Sequence, residues 1–486
     1  MNLESYFNHF RRQTIGYRQE YTTPYGKQRM LYADWIASGR LYRPIEKILT
    51  EKIGPFIGNT HTETSETGKL MTMAYQEAHA SIKRYVNAGP EDVILTTGFG
   101  MTGAVVKFQR ILGLKSCSQL SGGQCLHEKD RPVIFITHME HHSNHTSWYE
   151  TMADVVVVKP GKDLLFDLNH LEDELKLHKN GRRLIGSFTA CSNVTGVRTP
   201  IHEMAALMHQ YGGRIFVDYA ASAPYDNINM HPGDPVEDLD AVFFSPHKFL
   251  GGPGSSGVLI FSSDLYHNRV PDQPGGGTVD WTNRWGEYKF IDDIELREDG
   301  GTPGFLQAIR ASLSMDLKRQ MGIEKIGLRE EELLALAFRE LATVPGLHIL
   351  ADNVTSRLGV ISFYMDHIHY NLVVSLLSDH FGIQVRGGCA CAGTYGHYLL
   401  DVSYETSKKI TDRITNGDLS AKPGWVRLSL HPTMKDREVV HIAAALRMIS
   451  KNHVAWGRDY EYNKHTNEFN LKKTVMYGPN VNAWLL

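Results

Sequence analysis

Cysteine is scarce in this chain, which has five thiols in 486 residues: Cys117, Cys125, Cys191, Cys389 and Cys391. An odd and sparse set of cysteines in a chain of this length argues against a disulfide scaffold. Because free thiols persist where the cell keeps them reduced, the composition predicts a cytoplasmic protein.

The chain also lacks an excess of charge and any long apolar run. Lysine and arginine total 51, against 54 aspartates and glutamates. No strongly basic face is therefore predicted, and nucleic acid is not an expected partner. No apolar run is as long as a membrane span, so no membrane partner is expected. Glu4 and Asn8 interrupt the N-terminus, which lacks a signal-peptide pattern, while an organelle-targeting role stays open.

What the chain has is enough length for two domains, with predicted strands and helices alternating from about residue 93 to residue 261. This alternation predicts a mainly parallel α/β sheet. The expected domains are an N-terminal arm (1–30), irregular after residue 12, a large domain (31–321), a smaller α+β domain (322–455) and a C-terminal tail (456–486). Residues 115–131 are polar and are expected to form a surface insertion.

A candidate catalytic lysine follows one of these strands. The apolar run ending at Phe244 leads into Ser-Pro-His-Lys, which contains Ser245, His247 and Lys248, and a glycine-rich bend follows. A lysine at the end of a buried strand suits a Schiff base, because desolvation lowers its pKa, and the Ser and His suit a phosphate. The alternative is a surface lysine in a hairpin.

A carboxylate upstream strengthens the catalytic interpretation. Another apolar strand ends at Asp218, far enough before Lys248 for one more strand between them. Pyridoxal phosphate (PLP) needs such a pair, because the lysine forms the imine and the carboxylate keeps the pyridine nitrogen protonated. On its own, Asp218 is equally typical of a turn at a strand end.

These segments resemble the class V aminotransferase family, whose members include cysteine desulfurases and selenocysteine lyases. The resemblance covers most of residues 31–450. It implies an α/β protein of PLP-dependent transferase fold type I, with a mainly parallel sheet in the large domain and a smaller α+β C-terminal domain. PLP is the implied cofactor, and Ser245 and His247 are among the residues implied to hold it.

Further cofactor residues follow from the resemblance. The Gly-Met-Thr at 100–102 is similar to the family's phosphate loop, which implies Met101 and Thr102 as contacts, and a helix start suits phosphate. The match to Glu-His-His-x-Asn places His141 over the pyridine ring. The match to Ser-Asn-x-x-Gly assigns Asn193 to the cofactor's phenolic oxygen or the substrate. Thr302, in a Gly-Thr-Pro, is implied to reach the cofactor phosphate of a second subunit.

The histidines near His141 also allow a metal interpretation. Four histidines lie within residues 138–145, and His141 and His145 have the spacing of one helix face. No cysteine or paired glutamate motif accompanies them, so cofactor stacking is favoured over zinc and no metal is predicted.

A cysteine-containing loop carries the sulfur hypothesis. Residues 386–392, Arg-Gly-Gly-Cys-Ala-Cys-Ala, resemble the Arg-x-Gly-x-x-Cys-Ala loop of cysteine desulfurases. Counting from Arg386 assigns the sulfur-accepting role to Cys391, with Cys389 as its rival or a resolving partner. A glycine-rich loop with a nearby guanidinium suits a reactive thiolate. A metal pair and inert thiols are the alternatives.

Two further residues are candidates for substrate binding beside Arg386 and Asn193. Arg427 lies on a short strand where relatives carry the arginine that binds the substrate carboxylate, a task that suits a guanidinium. His61 lies in a polar loop that approaches substrate in relatives. A surface arginine and a plain loop histidine are the respective alternatives.

Together these residues predict a PLP-dependent enzyme that converts L-cysteine to L-alanine and leaves a persulfide on Cys391. Expected partners are a cysteine-like amino acid, a sulfur-acceptor protein and a second copy of the chain. A class V aminotransferase or a C–S β-lyase is the first alternative, because the fold alone does not decide the reaction. The second alternative is an inactive binding protein that keeps the PLP fold. It is supported by Ala221, because many relatives carry at this position a Gln or His that contacts the cofactor. Ser222 is a candidate to make that contact instead.

Overall fold

A computed structural model describes residues 2–98, 100–115, 127–472 and 481–484. The strands, in chain order, are β1 (Glu20–Thr23), β2 (Gly26–Arg29), β3 (Leu31–Tyr32), β4 (Asp92–Thr97), β5 (Val133–Thr137), β6 (Asp154–Val158), β7 (Leu184–Thr189), β8 (Arg214–Asp218), β9 (Ala241–Phe244), β10 (Gly257–Ser262), β11 (Val279–Thr282), β12 (Tyr288–Phe290), β13 (Leu347–Ile349), β14 (Val360–Met365), β15 (Ile383–Gln384), β16 (Arg386–Gly388), β17 (Trp425–Ser429), β18 (Tyr460–Asn463) and β19 (Glu468–Leu471).

The α-helices in the same order are α1 (Leu3–Tyr6), α2 (Asn8–Gln13), α3 (Arg43–Lys47), α4 (Glu66–Tyr85), α5 (Gly100–Ile111), α6 (His142–Tyr149), α7 (Leu168–His178), α8 (Ile201–Gln210), α9 (Ile294–Arg297), α10 (Phe305–Met321), α11 (Ile323–Leu341), α12 (Tyr370–Phe381), α13 (Gly393–Leu399), α14 (Tyr404–Thr415) and α15 (Asp436–Trp456). Across the described ranges, no helix combines the length and apolarity needed to cross a bilayer.

The chain divides into two compact units. The large unit contains Ser38–Ser192 and Arg198–Ile323, and the small unit contains Met1–Ala37, Asn193–Val197 and Glu324–Leu486. The N-terminal residues, including the short strand β3, thus belong with the C-terminal part of the chain. The sequence-based domain boundaries stay a prediction.

The large unit is built on a seven-stranded sheet with the order β4-β10-β9-β8-β7-β5-β6. Strands β6, β5, β7, β8 and β9 pair in parallel, and β10 is antiparallel to both β9 and β4. Strand β4 therefore runs in the same direction as β9. The prediction of a mainly parallel sheet is confirmed, and the carboxyl ends of six strands meet at one edge.

Both faces of this sheet are buried. In β5, Val133 and Phe135 belong to one apolar cluster with residues of α4, α7, α8 and α10. Ile134 and Ile136 belong to a second cluster with α5 and Trp148 of α6. A strand buried on both faces reads as a continuous apolar run, which explains why these strands are visible in the sequence.

The small unit contains a four-stranded antiparallel sheet with the order β13-β14-β17-β16. Strand β3 pairs in parallel with β15, and Asp34 bridges to Ser429 at the end of β17. The N-terminal helices are held by Arg11, which is buried and donates to the backbone carbonyl of Thr433. These contacts attach the N-terminus to the C-terminal sheet.

Several elements differ from the sequence-based expectation. Residues 13–30, expected to be irregular, contain the β1–β2 hairpin, and the expected tail contains the β18–β19 hairpin. The β11–β12 hairpin and helix α14 were not predicted. Strands β11 and β12 are mostly exposed, so their sequences carry no strong apolar periodicity to reveal them. Strands β18 and β19 do alternate between apolar and polar residues, so a signal for that hairpin was available. Most of the expected 115–131 insertion lies outside the described residues.

Candidate active site

The candidate residues of the large unit gather at the carboxyl edge of its sheet. Asp218 is the last residue of β8, and the turn containing Ser245 and Lys248 follows β9. His141 follows β5, and α5 begins shortly after β4. Ligands of open α/β sheets bind at this edge, because loops and helix N-termini leave a crevice there.

Asp218 is a buried carboxyl that lies close enough to Lys248 for their charges to interact. Only 3% of the residue is exposed, and its Oδ1 accepts a hydrogen bond of 2.8 Å from Ala220 N. Burial raises the pKa of Asp218 to about 6, while the Ala220 amide and the positive charge of Lys248 act in the opposite direction. The group is therefore an anion at neutral pH that titrates close to it.

The turn of Lys248 is fixed by the segment that begins the large unit. Gly39 N donates to His247 O at 2.9 Å, and Gly251 N donates to Arg40 O at 2.7 Å. A Cβ at Gly39 would lie 1.9 Å from Phe249 O, so a side chain at this position would displace the turn. Close backbone packing therefore sets where the lysine side chain begins.

Ser245, His247 and the start of α5 converge on Gly100. Ser245 Oγ accepts a hydrogen bond of 2.8 Å from Met101 N. Gly100 has φ of +61°, and a Cβ there would lie 3.0 Å from Ser245 Oγ and 3.8 Å from His247 Nε2. Burial, and secondly the charge of Lys248, lowers the pKa of His247 to about 4, so its imidazole is neutral. A helix N-terminus beside a hydroxyl and an imidazole suits a phosphate.

His141 caps helix α6 and is connected to this same region. Its Nδ1 accepts from Ser143 N at 3.1 Å, which leaves Nε2 as the protonated nitrogen of the neutral ring. Ser143 Oγ lies 2.6 Å from Thr102 Oγ1. His141 is thus held in one orientation by the helix that it caps, and it is linked through Ser143 to the α5 N-terminus.

His61 and Thr302 lie in neighbouring loops of the large unit. Both are exposed, and His61 Nε2 lies 3.0 Å from the carbonyl oxygen of Gly301. His61 also lines a cavity of about 700 Å³ with Tyr75, His79 and other residues of α4. These contacts place His61 beside the Thr302 loop.

In the small unit, Arg427 is a buried guanidinium paired with Asp34. It is 4% exposed, and its Nη2 donates to Asp34 Oδ1 at 3.0 Å. Its Nη1 donates to Asn193 O at 3.3 Å, and its Nε is buried without a hydrogen-bond partner. The second carboxylate oxygen of Asp34 accepts from Arg386 Nε at 3.2 Å. One carboxylate thus orients both candidate arginines, and one of them keeps an unused donor.

Asn193 holds the cysteine loop. Its Nδ2 donates to Ala390 O, between the two cysteines, at 2.7 Å, while its Oδ1 is buried and has no partner. Cys391 is exposed and Cys389 is half-buried, and both are free thiols. The thiol of Cys391 is therefore accessible, which a reactive cysteine requires.

A family model named Aminotransferase class-V matches residues 32–442. The chain belongs to the class V aminotransferase family. A probable cysteine desulfurase of Staphylococcus epidermidis is 28% identical over 375 residues, which cover 75% of this chain and 84% of that protein. A cysteine desulfurase of Haloferax volcanii is 26% identical over 386 residues, covering 78% and 83%.

Solved structures show the same fold. A cysteine desulfurase from Thermococcus onnurineus superposes with a TM-score of 0.71 at 23% identity, covering 87% of this chain and 95% of that one. A cysteine desulfurase from Escherichia coli gives 0.69 at 21% identity, covering 92% and 98%. The prediction of a PLP-dependent transferase fold type I is confirmed. Class V aminotransferases are PLP-dependent enzymes.

The residues present fit this cofactor. Asp218 provides a buried carboxylate for a pyridine nitrogen, and the region around Gly100 provides donors for a phosphate. Ser222, next to Ala221, is 1% exposed, and its hydroxyl has no hydrogen-bond partner. A buried hydroxyl without a partner costs free energy unless a ligand satisfies it. Among the described residues, no cluster of three or more metal-ligating side chains is present.

Two buried carboxyls of this class V fold were missed in the sequence. Asp34 was not singled out, because its partners lie more than 350 residues away. Glu140 was read only as part of the Glu-His-His match. It is 2% exposed, and burial raises its pKa, while the hydrogen bonds donated by Asn144, Thr189 and Thr137 act in the opposite direction. For Asp34, the available signal was an acidic residue inside the otherwise apolar segment 31–36.

Glu140 makes a network in which every partner is a donor. Its Oε1 accepts from Thr137 N, Thr137 Oγ1 and Thr189 N, and its Oε2 accepts from Asn144 Nδ2 at 2.8 Å. Asn144 cannot turn its amide, because its Oδ1 accepts from Trp148 Nε1 and Ser187 Oγ. The network joins β5, β7 and α6 at the residue that precedes His141.

We expect Glu140→Gln to lower the free energy of unfolding by about 1–3 kcal/mol. Whichever way the new amide is turned, its NH₂ faces an N–H donor. Urea unfolding of the purified protein measures the loss. The variant Glu172→Gln, whose carboxylate lies at the surface beside Lys176, is the control and should change stability by less than about 1 kcal/mol. Equal stability of both variants would contradict the donor-only network.

Proposed function

We propose that this chain is a PLP-dependent cysteine desulfurase, which converts L-cysteine to L-alanine and leaves the sulfur as a persulfide on Cys391. The observation that carries the proposal is the exposed Cys391 in a loop anchored by Asn193. The names of the similar proteins point to the same reaction.

PLP, when bound, supplies an electron sink that makes the Cα–H and Cβ–S bonds of an amino acid breakable. The proposal gives Asp218 the role of holding the pyridine nitrogen protonated, with His141 over the ring. Met101, Thr102, Ser245 and His247 would bind the phosphate, and Asn193 Oδ1 would accept or orient a polar group of the cofactor or substrate. The unpartnered buried Oδ1 supports this last role.

Substrate handling follows from the remaining side chains. Arg427 would bind the substrate carboxylate through its unused Nε and the guanidinium edge, with Arg386 and His61 as further contacts. Lys248 Nζ would hold the cofactor covalently and then, once displaced, move the Cα proton, with His141 as a second proton carrier. A neutral His247 beside Lys248 does not compete for that proton, because its pKa is about 4.

The sulfur step falls to Cys391. Its thiolate Sγ bonds to the sulfur of the substrate while the Cβ–S bond breaks. The electron pair of that bond stays with the carbon skeleton, which takes up a proton and leaves as alanine. The persulfide then passes its outer sulfur to an acceptor, for which we propose a partner protein. A homodimer, in which Thr302 meets the second subunit's cofactor phosphate, and a cytoplasmic location belong to the same proposal.

The decisive test is product analysis with L-cysteine, comparing the wild type with Cys391→Ala. We expect alanine from the wild type, formed as Cys391 takes up the sulfur, and little or no alanine from the variant. Pyruvate and sulfide from both proteins would make the chain a C–S β-lyase. No turnover of cysteine by PLP-loaded protein would contradict the proposal and favour transamination of another amino acid.

The ionisation of Asp218 predicts how cofactor binding depends on pH. The carboxyl is charged above a pKa of about 6 and neutral below it. We therefore expect the affinity of the apoprotein for PLP to fall as the pH drops through about 6. Asp218→Asn should bind weakly at all pH values, so the difference between the two proteins should close below about pH 6. Absorbance titration measures both, and a constant difference would contradict the assignment.

A further inference from the structure

The loop with Cys391 carries a second thiol two residues earlier. Ala392 N donates to the carbonyl oxygen of Cys389 at 3.0 Å, which closes a four-residue turn. Its two central residues, Ala390 and Cys391, have φ of +50° and +56°, both left-handed. Two Cα–Cα steps of about 3.8 Å with a turn between them bring Cys389 and Cys391 into the about 4.4–6.8 Å range that disulfides span.

This turn is anchored on each side and in its middle. Strand β16 ends at Gly388 immediately before it, and α13 begins at Gly393 immediately after it. The Asn193 side chain donates to the carbonyl of Ala390, the residue between the two cysteines. Non-glycine residues in the left-handed region are strained, so such a turn persists only where its surroundings impose it.

The two thiols have different surroundings. Cys391 is exposed and lies close enough to the buried guanidinium of Arg427 to interact with it electrostatically. Cys389 is half-buried and interacts with Tyr370 of α12. Tyr370 also packs against the loop, since a Cβ at Gly387 would lie 3.2 Å from its ring. The outer thiol is accessible to a substrate, whereas the inner thiol faces the protein.

We propose that Cys389 is a resolving thiol that releases the sulfur as hydrosulfide. This inference rests on the proposed desulfurase function. The thiolate of Cys389 attacks Sγ of the Cys391 persulfide, and the bond between Sγ and the outer sulfur breaks. The outer sulfur leaves with the electron pair as HS⁻, and a Cys389–Cys391 disulfide forms. The two thiols are oxidised as the sulfane sulfur is reduced, so no outside oxidant is needed.

Two consequences distinguish this enzyme from one that can only donate its persulfide. When no acceptor protein takes the outer sulfur first, the enzyme releases it as inorganic sulfide, and it then stops after one turnover until a dithiol reductant opens the disulfide. Intramolecular attack is fast because the two thiols are held at a high effective concentration by the turn.

The test follows the products of L-cysteine with PLP-loaded protein and no reductant. Trypsin cleaves after Arg386 and Lys408, so one peptide, 387–408, carries both cysteines. We expect the wild type to form alanine and sulfide in equal amounts, with a peptide lacking two hydrogens, and dithiothreitol to restore turnover. We expect Cys389→Ala to form alanine but no sulfide, with the extra sulfur kept on Cys391. Cys389→Ser should behave in the same way, which excludes an effect of packing.

Other outcomes overturn the inference. A wild-type peptide that keeps the extra sulfur on Cys391, or that shows it on Cys389, would mean that no disulfide forms. Cys117→Ala, which removes a thiol outside the loop, should form the disulfide as the wild type does. Alanine without the disulfide refutes only the role of Cys389, whereas no alanine from any of these proteins refutes the desulfurase function and this inference with it.

Discussion

The Lys248→Ala variant is expected to lose at least about 10²–10⁴-fold in turnover, the contribution of a single positioned proton carrier, and more if covalent attachment is also needed. Lys248 follows β9 in a turn that is fixed by the backbone of Gly39, so the position of its side chain is set by the fold. Removal of its charge also leaves the buried Asp218 without the cation that opposes the burial effect on its pKa.

The variant Lys248→Arg separates the effect of the positive charge from the effect of the reactive amine. Arginine keeps the positive charge beside Asp218, but it is not deprotonated at neutral pH and neither attacks nor accepts a proton. We therefore expect Lys248→Arg to be as inactive as Lys248→Ala while binding PLP more tightly. Borohydride treatment followed by peptide mapping should attach the cofactor to residue 248 only in the wild type. An active Lys248→Arg variant, or a cofactor fixed to another lysine, would refute the assignment.

The second large effect is expected at Arg427. Arg427→Met should lower kcat/KM for L-cysteine by about 10- to 100-fold, because a charge-assisted hydrogen bond contributes about 1.5–3 kcal/mol and about 1.4 kcal/mol is tenfold. The loss should appear mainly in KM. Cysteamine, which lacks the carboxylate, should react equally with the wild type and the variant. An equal loss for both substrates would mean that Arg427 does not bind the carboxylate.

Stability controls are needed, because Arg427 is also half of a buried ion pair. Its removal leaves Asp34 with Arg386 alone, and breaking a buried pair costs up to about 3–5 kcal/mol. The double variant Asp34→Asn/Arg427→Met removes both charges and should recover part of that loss in urea unfolding. Its KM should stay high, since the guanidinium is still absent. Recovery of KM together with stability would assign Arg427 a structural role only.

The amino-acid sequence by itself determined the large-unit sheet and the candidates at its edge. Strands β5, β7, β8 and β9 are continuous apolar runs, because both faces of the sheet are buried, and such runs are visible without a structure. Asp218, Ser245 and Lys248 directly follow those runs, so their placement at one edge follows from parallel pairing. The resemblance of short motifs then supplied the family.

Only the tertiary structure decided what orients these candidates. Asp34 meets Arg386 and Arg427 through β3 and β17, and Asn193 meets the cysteine loop across almost 200 positions of sequence. Pairings this distant leave no periodic signal, because each partner is a single polar residue in its own segment. The hydrophobic pattern of a segment indicates which of its residues are buried. It does not indicate which residues from distant parts of the sequence contact them.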